Sequence, residues 1–340
     1  MSTRVVHFPF ASRNPFQENL LECVRPYGVS SDPIPGGLKG LLRAAVISSA
    51  DILHLHWVTS SASAPTAIGS LVRFLVFISS ISLWRLRGKK IVWTVHNIVN
   101  HENRRIWLDL LISRYVGGVA ERVLVQGESA RQLAVDRFHL ADRKVLVIYH
   151  GNYASSVRAS PPREDRTGVR FLHFGMIRPY KGVPELMRSF RDIQGPHELR
   201  IVGEVKDEAL RREIEELACS DRRIILALQY IPDESLEALL AWCDVVVLPY
   251  RHILTSGSLL FALSAGRPVV APRQGLIQEY AGEGCGFLYC PNSPTGLGDA
   301  MRSAVQCENL GQLSTDAFRR SMRFDWSLIG ERLAQVYTHL

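Results

Sequence analysis

The chain has 340 residues, of which 46% are hydrophobic and 21% are charged, and its formal net charge is +7 at pH 7. This composition excludes a disordered chain, a collagen-like repeat and a polytopic membrane protein. The length favours two domains over one or three, and the positive charge favours an anionic partner such as a nucleotide, a phosphosugar, a nucleic acid or an acidic lipid.

The six cysteines and the amino-terminal residues indicate the cellular compartment. The cysteines include no C-x-x-C pair and do not have the density of a disulfide scaffold, so we expect reduced thiols and a cytoplasmic protein. The first residues lack the basic, apolar and small-residue regions of a signal peptide, which agrees with that expectation.

Short β-branched segments alternate with longer amphipathic segments, a pattern typical of parallel strands joined by helices. In the first half, this pattern predicts strands at 4–8, 52–56, 90–95, 122–126 and 145–149. A stretch near 154–168 is rich in Pro, Ser, Arg and Asp and is predicted to be a linker. Beyond it, strands are predicted at 169–174, 198–202, 224–228, 245–248 and 268–271.

These elements predict an α/β protein with two Rossmann-like domains, 1–153 and 168–324, that face a central cleft. Parallel α/β sheets bind ligands at the carboxyl ends of their strands, so we expect the functional residues there. A last helix, 325–340, has a candidate cap in Asp325 or Ser327 and is predicted to return to the first domain.

The segment 67–86 is almost entirely apolar, is interrupted by Arg73 and is followed by four cations, Arg85, Arg87, Lys89 and Lys90. It is too short between charges to span a bilayer comfortably. One interpretation is a helix that lies in the interface of an anionic membrane. The other is a helix buried against the first sheet.

The turn after the predicted strand at 169–174 concentrates phosphate-binding chemistry. Gly175 leaves the strand, Arg178 and Lys181 follow it, and a helix is predicted to begin near Pro184. A diphosphate here would meet a guanidinium, an ammonium and the free amides of a helix start. These groups stabilise a charged leaving group. The alternative is a solvated basic turn.

A second turn offers hydroxyls and amides to the same kind of ligand. Ser256, Gly257 and Ser258 precede an apolar segment and are predicted to open a helix, whose free amides favour an anion. A plain serine cap without a ligand is the alternative. Tyr230 is a candidate to flank a nucleobase, although the same residue suits an ordinary turn at a strand end.

The sequence lacks the carboxylate pair that usually holds a divalent metal on a nucleotide diphosphate. No Asp-x-Asp triplet occurs in it, so we expect no metal and no other cofactor, with cations and helix ends acting instead. Other metal ligands are weak candidates. His54 and His56 fall on one face of a strand, which favours a strand edge over a site, and Cys285 and Cys290 lack neighbouring ligands.

The loop after the predicted strand at 90–95 carries candidate groups for an acceptor. We predict Glu102 as the general base for an attacking hydroxyl, with His96 as the alternative base or a sugar contact. His101, in the same loop, and Asn14, after the first strand, are predicted to contact the acceptor. The alternative for these histidines is a capping role without chemistry.

The motifs together resemble the GT-B glycosyltransferases. Gly175-Met-Ile-Arg-Pro-Tyr-Lys-Gly182 approximates the phosphate-binding pattern Gly-Arg-x-x-x-x-Lys-Gly of that fold, and the similarity spans nearly the whole chain. The resemblance implies that 168–324 binds a nucleotide-sugar and that 1–153 binds an acceptor.

The chain departs from retaining glycosyltransferase family 4, which carries two glutamates ahead of its Ala-Gly-x-Pro-Val-Val segment. Those positions fall here at about Ile253 and Phe261. Four motifs carry a second resemblance: His-Phe-Gly-x-Ile-Arg-Pro-Tyr-Lys-Gly, Ser-Gly-Ser-Leu-Leu-x-Ala-Leu-Ser, Leu-His-Trp and His-Asn-x-x-x-His-Glu. Together they are most similar to the inverting β-mannosyltransferases of the xanthan pathway, which belong to bacterial exopolysaccharide synthesis.

This second resemblance implies GDP-mannose as the donor and a lipid-diphosphate-linked, glucuronate-ended oligosaccharide as the acceptor. It also implies a peripheral location at the anionic inner face of the plasma membrane. No module that recognises nucleic acid is visible, so no nucleic-acid partner is expected. A retaining family 4 type enzyme with another donor and a non-catalytic nucleotide-binding subunit remain as alternatives.

Overall fold

The computed structural model of the chain describes residues 3–11, 15–62, 64, 66–97, 106–160, 163, 167–251 and 254–340. The chain divides into two compact units, Met1–Gly151 with Asp325–Leu340, and Asn152–Phe324. The stretch 154–168, which the sequence predicts to be a linker, belongs to the second unit.

The first unit is built on a parallel sheet. Within the described residues its strands are β1 (Thr3–Phe8), β2 (Val29–Pro33), β3 (Ile52–Leu55), β4 (Lys90–Thr94), β5 (Arg122–Val125) and β6 (Val145–Val147). Their order across the sheet is β2-β1-β3-β4-β5-β6. The central strand β3 is buried at every position, which agrees with its continuous run of apolar residues and histidines.

The second unit repeats this architecture with another parallel sheet. Within the described residues its strands are β7 (Arg170–Phe174), β8 (Glu198–Val202), β9 (Ile224–Ala227), β10 (Val245–Val247), β11 (Val269–Pro272) and β12 (Gly286–Tyr289). Their order is β12-β11-β10-β7-β8-β9. Fully buried side chains such as Phe171, Ile201 and Val247 form the core of this unit, so the ends of β7 and β10 are held rigidly.

Helices connect the strands of both units. The first unit contains α1 (Pro15–Cys23), α2 (Gly37–Ile47), α3 (Val58–Ala62), α4 (Ala67–Leu86), α5 (Ile106–Val119) and α6 (Glu128–Phe138). The second contains α7 (Val183–Arg191), α8 (Glu208–Cys219), α9 (Asp233–Trp242), α10 (Gly257–Ser264), α11 (Gly275–Ala281), α12 (Gly296–Gln306) and α13 (Leu310–Ser321). The last helix, α14 (Trp326–Thr338), is capped by Asp325 and belongs to the first unit.

The predicted α/β class with parallel sheets is confirmed. All ten predicted strands are present, with ends that shift by no more than two residues. The sequence patterns missed β2 and β12, and each of these strands lies at an edge of its sheet.

The helix predicted at 67–86 is α4, and its apolar residues divide into a buried and an exposed group. Phe77, Ile81 and Trp84, in its second half, are fully buried, whereas Ile68 and Leu71, in its first half, are 78% and 57% exposed. In the described part of the chain, α4 is the helix with the length and apolarity needed to cross a membrane, and 28% of its most apolar window is buried. The second half of α4 is therefore buried against its unit as one interpretation expects, and the membrane interpretation of its exposed first half stays a prediction.

Candidate active site

The turn that follows β7 brings three of the predicted donor-site residues together. Gly175 leaves the strand with a φ of +99°, and a Cβ at this position would lie 3.3 Å from Ser258 Oγ and 3.5 Å from Lys181 Nζ. The glycine therefore leaves open a space on which a hydroxyl and an ammonium converge. Gly203 lies against the same turn, since a Cβ there would lie 2.0 Å from the Gly175 carbonyl oxygen.

Lys181 is a buried cation with no carboxylate counter-ion among the described residues. The residue is 9% exposed, and its Nζ lies 5.4 Å from the centre of the Tyr250 ring. Burial lowers the pKa of the ammonium; nearby Arg178 lowers it further, and Tyr180 opposes both effects. Because a buried charge without a partner is costly, this arrangement favours an anionic ligand.

The start of α10 supplies the hydroxyls of the cluster. Ser256 Oγ accepts a hydrogen bond from the Leu259 amide at 3.1 Å and donates one to the Tyr250 hydroxyl at 3.3 Å. Burial raises the pKa of Tyr250, and side-chain hydrogen bonds to Ser256 and Ser258 lower it. Residues 256–258 thus open a helix as predicted. Ser258 belongs to the first turn of that helix, and its hydroxyl approaches the same space at Gly175 as the Lys181 ammonium.

Gly257 and Phe261 lie on α10 next to an aromatic residue that the sequence patterns did not single out. Tyr153 stacks on Phe261 with the ring centres 3.7 Å apart and the planes within 5°. A Cβ at Gly257 would lie 3.5 Å from the Tyr153 hydroxyl. An aromatic pair therefore occupies one of the two positions at which family 4 carries a carboxylate, and Ile253, the other position, lies outside the described residues.

His173, on β7, is a second buried group beside Lys181 that the motifs did not reveal. Its Nδ1 lies 2.8 Å from the Val247 carbonyl oxygen, and its Nε2 has no hydrogen-bond partner among the described residues. Burial, aided by the charge of Lys181, lowers the pKa of His173 to about 3. The imidazole is therefore neutral, and its free nitrogen is available to a polar group of a ligand.

Tyr230 lies apart from this cluster. It is 57% exposed and lines a pocket of about 310 Å³ together with Ile231, Pro232 and Arg200. None of the residues that line the pocket belongs to the group around the Lys181 ammonium, which consists of Gly175, Lys181, Tyr250 and Ser258. A planar group that enters this pocket would find an aromatic ring and a proline on its walls.

The first unit gathers histidines at the ends of its strands. His7 is aligned with His54 in the parallel pairing of β1 and β3, His56 follows β3 directly, and His96 is the second residue after β4. These four side chains and His150 are buried, with at most 7% exposure. The prediction that His54 and His56 mark a strand edge is wrong, because β3 lies inside the sheet between β1 and β4.

Hydrogen bonds join three of these histidines into a chain. Ser31 Oγ lies 2.7 Å from His7 Nε2, His7 Nδ1 lies 3.0 Å from His56 Nε2, and His56 Nδ1 lies 3.1 Å from His96 Nε2. Each imidazole in the chain both donates and accepts one hydrogen bond when it is neutral. The tautomer of His96 is therefore coupled to the tautomers of His56 and His7.

Burial keeps these histidines neutral. It lowers the pKa of His7 and of His96 to about 3 and that of His150 to about 4, and it also lowers the pKa of His54 and His56. The His96 ring stacks on Trp57 with the centres 4.4 Å apart. Its Nδ1 has no hydrogen-bond partner in the described part of the chain, so this neutral nitrogen can contact a ligand.

The nitrogens of His7, His54 and His56 lie within 4.8 Å of one another, a spacing that also suits a metal ion. Hydrogen bonds nevertheless account for all six nitrogens. The two of His54 lie 2.6 Å from the Tyr337 hydroxyl and 2.7 Å from Thr94 Oγ1, and the chain described above uses the other four. We therefore assign the cluster to a hydrogen-bond network.

Three of the predicted acceptor-side residues, Asn14, His101 and Glu102, lie outside the described residues. Their roles stay predictions. Of the predicted groups in the first unit, His96 is the one that the structure describes.

Sequence reasoning missed Tyr250 and Tyr153 because no motif joins them to Lys181 along the chain. It gave His173 no role, although this residue stands in the same motif, eight positions before Lys181. The histidine network did leave a signal, since several predicted strands contain or precede a histidine. His7, His56 and His150 all occupy such positions. Parallel strands that end in the same residue type bring those residues together at one edge of the sheet.

Comparison with known proteins identifies relatives of both units. A family model described as Glycosyl transferases group 1 matches residues 168–307. The chain is 32% identical over 300 residues to the GDP-mannose:glycolipid 4-beta-D-mannosyltransferase of Xanthomonas campestris pv. campestris. The aligned residues make up 87% of this chain and 82% of that protein. It is also 25% identical over 274 residues to the MMP alpha-(1->4)-mannosyltransferase of Mycolicibacterium hassiacum. That alignment spans 74% of this chain and 65% of that protein.

The fold has solved counterparts as well. The structure of Anabaena HepE in complex with UDP and glucose superposes on this one with a TM-score of 0.77 and 16% sequence identity over the full length of both chains. That similarity concerns the fold alone, whereas the 32% identity to the Xanthomonas enzyme extends to the sequence. The chain is thus an enzyme and belongs to the group 1 glycosyltransferases of GT-B fold.

Proposed function

We propose that this glycosyltransferase moves mannose from GDP-mannose to a glycolipid acceptor with inversion at the sugar carbon. The observation that carries the proposal is the convergence of Lys181 and Ser258 on the space beside Gly175. The Xanthomonas relative is named for this donor and for a glycolipid acceptor, and its β-linked product supports inversion.

Lys181 and Arg178 would hold the diphosphate of the donor. The acceptor oxygen bonds to the mannose C1 as the bond from C1 to the diphosphate breaks, and GDP leaves with the bonding electron pair. Fixed positive charge beside the leaving diphosphate stabilises the negative charge that develops in that step. Ser256, Gly257 and Ser258 add hydroxyls and helix-start amides, which favour an anion.

The proposed reaction requires no metal ion. The reason lies in the sequence, which offers no Asp-x-Asp pair to bridge a metal to a diphosphate. Lys181 and Arg178 take over the neutralisation of charge that a bridging metal performs in other transferases. We expect full activity in the presence of EDTA.

Glu102 remains the preferred general base, and the pKa of His96 supports that choice. A general base works best with a pKa near the operating pH, whereas burial lowers the pKa of His96 to about 3. A group so weakly basic suits a hydrogen bond to a sugar hydroxyl better than proton abstraction. His96, His101 and Asn14 are therefore proposed to contact the acceptor, and Glu102 to take its proton.

The pocket beside Tyr230 is proposed to take the guanine base. Its volume of about 310 Å³ lies near the lower end of the range of about 300–1,000 Å³ that small-molecule sites occupy. Tyr230 would cover one face of the base, since aromatic rings stack on planar ligands.

The acceptor is proposed to be a lipid-diphosphate-linked oligosaccharide, glucuronate-ended, that is used in exopolysaccharide synthesis. The enzyme would then work in the cytoplasm as a peripheral protein at the anionic inner face of the plasma membrane. The exposed apolar residues in the first half of α4 support this location, since apolar side chains on a helix surface bind bilayers.

One experiment tests donor, acceptor and stereochemistry together. The purified chain is incubated with a panel of nucleotide-sugars and a synthetic lipid-diphosphate oligosaccharide in EDTA, and the product linkage is determined by NMR. We expect a β-mannoside from GDP-mannose alone.

Other products would contradict the proposal in different ways. An α-linked product would make the enzyme a retaining transferase, in line with the name of the Mycolicibacterium relative. Binding of donor without turnover under any condition would indicate a non-catalytic nucleotide-binding subunit.

A further inference from the structure

A groove on the first unit lies outside the sites described so far. It runs between the turn after β2 and one face of α2, and its volume is about 630 Å³. This volume falls within the range of about 300–1,000 Å³ typical of ligand sites. Ile34, Pro35, Ala44 and Ile47 contribute apolar walls. We call it the α2 groove.

The groove has a fixed shape because backbone contacts build it. Gly36, which directly precedes α2, has a φ of +82°. The turn lies so close to α2 that a Cβ at Gly40 would be 1.6 Å from the Pro35 carbonyl oxygen. At the other end of α2, Arg87 donates hydrogen bonds to the carbonyl oxygens of Ala45 and Ser48. Both ends of the groove are thereby held in place.

Two cations, Lys39 and Arg43, line the groove and no acidic residue does. They lie four positions apart on α2 and are exposed, and neither forms an ion pair within the described ranges of the chain. Like charges at this spacing repel each other in a helix. An anionic group would remove that repulsion, so the charge of the groove is complementary to a phosphate.

The apolar walls continue onto an exposed apolar surface. On α2, Val46 and Ile47 are 54% and 62% exposed, and on the neighbouring α4, Leu71, Val72 and Leu75 are each more than half exposed. A chain that enters the groove at the cations can therefore leave it over apolar side chains. Such a ligand has an anionic head joined to a long apolar tail.

The groove is connected to the acceptor side of the first unit. The Ile34 amide donates a hydrogen bond of 2.9 Å to the His7 carbonyl oxygen, and β2 carries Ser31, the first member of the histidine chain that ends at His96. The turn that opens the groove therefore lies at the carboxyl end of β2, the same edge of the parallel sheet at which His56 and His96 follow β3 and β4. This connection favours the lipid of the acceptor over a phospholipid of the bilayer.

We propose that the α2 groove binds the apolar chain and the adjoining phosphate of the acceptor lipid, with Lys39 and Arg43 on the phosphate. The proposal rests on the glycolipid acceptor proposed above. It adds a binding site that fixes the lipid end of the acceptor, away from the sugar that is modified.

Calorimetric titration of the full chain with farnesyl diphosphate, below its micelle concentration, tests the site. We expect binding that inorganic diphosphate does not match. Ala44→Phe, which fills the groove, and the double variant Lys39→Gln/Arg43→Gln should each weaken binding at least about tenfold. Ile47→Asn, at an exposed position, should weaken it without affecting folding, and Arg137→Gln on α6 is the matched charge control. Unchanged binding by all the groove variants would overturn the proposal.

Two further measurements distinguish binding of the acceptor lipid from binding of the bilayer and from the proposed transferase function. Flotation with phosphatidylglycerol vesicles should change little in Ala44→Phe. If the variants lose vesicle binding but keep farnesyl diphosphate binding, the groove serves the bilayer and the proposal is wrong. In transfer assays, the variants should raise KM for a long-chain acceptor and leave KM for a short, soluble acceptor unchanged. If the wild type transfers mannose to neither acceptor, the proposed function fails, whereas the calorimetric result still decides the groove.

Discussion

Lys181 is a cation that the protein holds out of water next to Arg178 and without an acidic partner among the described residues. Sites of ligand binding are where such groups are expected, since the ligand supplies the missing charge. A Cβ at Gly175 would lie 3.3 Å from Ser258 Oγ and 3.5 Å from the ammonium, and the open space there is where we propose that the diphosphate binds.

Replacement of Lys181 therefore separates stability from function. Lys181→Met keeps an apolar chain of similar length and removes the buried charge, so we expect a melting temperature that is unchanged or higher. We also expect kcat/KM to fall at least about tenfold, or roughly 1.4 kcal/mol. Steady-state kinetics and thermal melts measure both quantities. Lys206→Met, at an exposed lysine of the same unit, is the control, and a Lys181→Met enzyme of wild-type rate would contradict the diphosphate site.

The assignment of the base is tested at Glu102 and His96. Glu102→Gln should lower kcat by at least about a hundredfold while GDP-mannose affinity is kept, because a general base contributes to the chemical step alone. His96→Asn, which can still hydrogen-bond a sugar, should act mainly on the acceptor KM. Turnover that survives in Glu102→Gln and disappears in His96→Asn would reverse the two roles.

At the scale of elements, α14 is tied to the first sheet through buried and exposed tyrosines. The Tyr337 hydroxyl lies 2.6 Å from His54 Nδ1 inside the unit, and the Tyr27 hydroxyl donates to the Ser327 carbonyl oxygen at 2.9 Å on its surface. Each contact is a single hydrogen bond of a tyrosine hydroxyl, one buried and one exposed, so a Tyr→Phe substitution at each position can compare them.

Tyr337→Phe should cost about 1–3 kcal/mol, because it leaves a buried histidine nitrogen without a partner. Tyr27→Phe should cost less than about 1 kcal/mol, since water replaces the lost hydrogen bond. Denaturant unfolding followed by circular dichroism measures both. Equal losses in the two variants would show that the His54 contact adds nothing beyond a surface bond.

The histidine network predicts a loss of stability in acid. His7 and His96 have an ordinary pKa of 6.5 that burial lowers to about 3, so between these values the unfolded chain binds more protons than the folded one. The free energy of unfolding should be flat above about pH 6.5 and fall below it, by up to about 1.4 kcal/mol per pH unit for each such histidine.

Urea unfolding at pH values from 7.5 to 4.5 measures this dependence. His7→Gln should make the decline shallower, while His339→Gln, at an exposed residue near the carboxyl end, should leave it unchanged. A free energy of unfolding that stays constant from pH 7.5 to pH 4.5 would contradict the neutral buried network.

Eight of the ten strands that the sequence predicts lie inside the two sheets; the other two, β6 and β9, lie at edges and are partly exposed. The inner strand β3 is buried throughout, so its apolar run is visible in the sequence. The edge strands differ: β2 buries only Val29 and Ser31 and ends in Pro33, and β12 begins at Gly286 and is partly exposed at all four positions. An edge strand is paired with a neighbour on one side only. In β2 and β12 the exposed positions weaken the apolar pattern by which a strand is recognised in the sequence.

The same distinction applies to the candidate site. Gly175, Lys181 and Ser256 occupy local turns and helix starts that composition and spacing reveal. Tyr250 reaches the cluster because β10 and β7 are neighbours in the sheet, a pairing that no local pattern encodes, whereas His173 lies on β7 itself, two residues before Gly175. The sequence therefore predicted the phosphate-binding turns and left out the aromatic and imidazole groups around them.

At the scale of the whole molecule, a formal charge of +7 and the exposed half of α4 predict salt-sensitive binding to anionic membranes. Leu71→Ser/Leu75→Ser should lower flotation with phosphatidylglycerol vesicles, because it removes exposed apolar area that would enter the bilayer. Leu133→Ser, at an exposed leucine of α6, is the control. Equal flotation of the double variant and the wild type would exclude α4 from the contact.

A crystal structure of the chain with intact GDP-mannose, grown in EDTA, tests the central claim most directly. We predict that the diphosphate lies beside Gly175, within hydrogen-bond distance of Lys181 Nζ and Ser258 Oγ. A diphosphate bound elsewhere, or one that enters this space only when a divalent metal is added, would contradict the account.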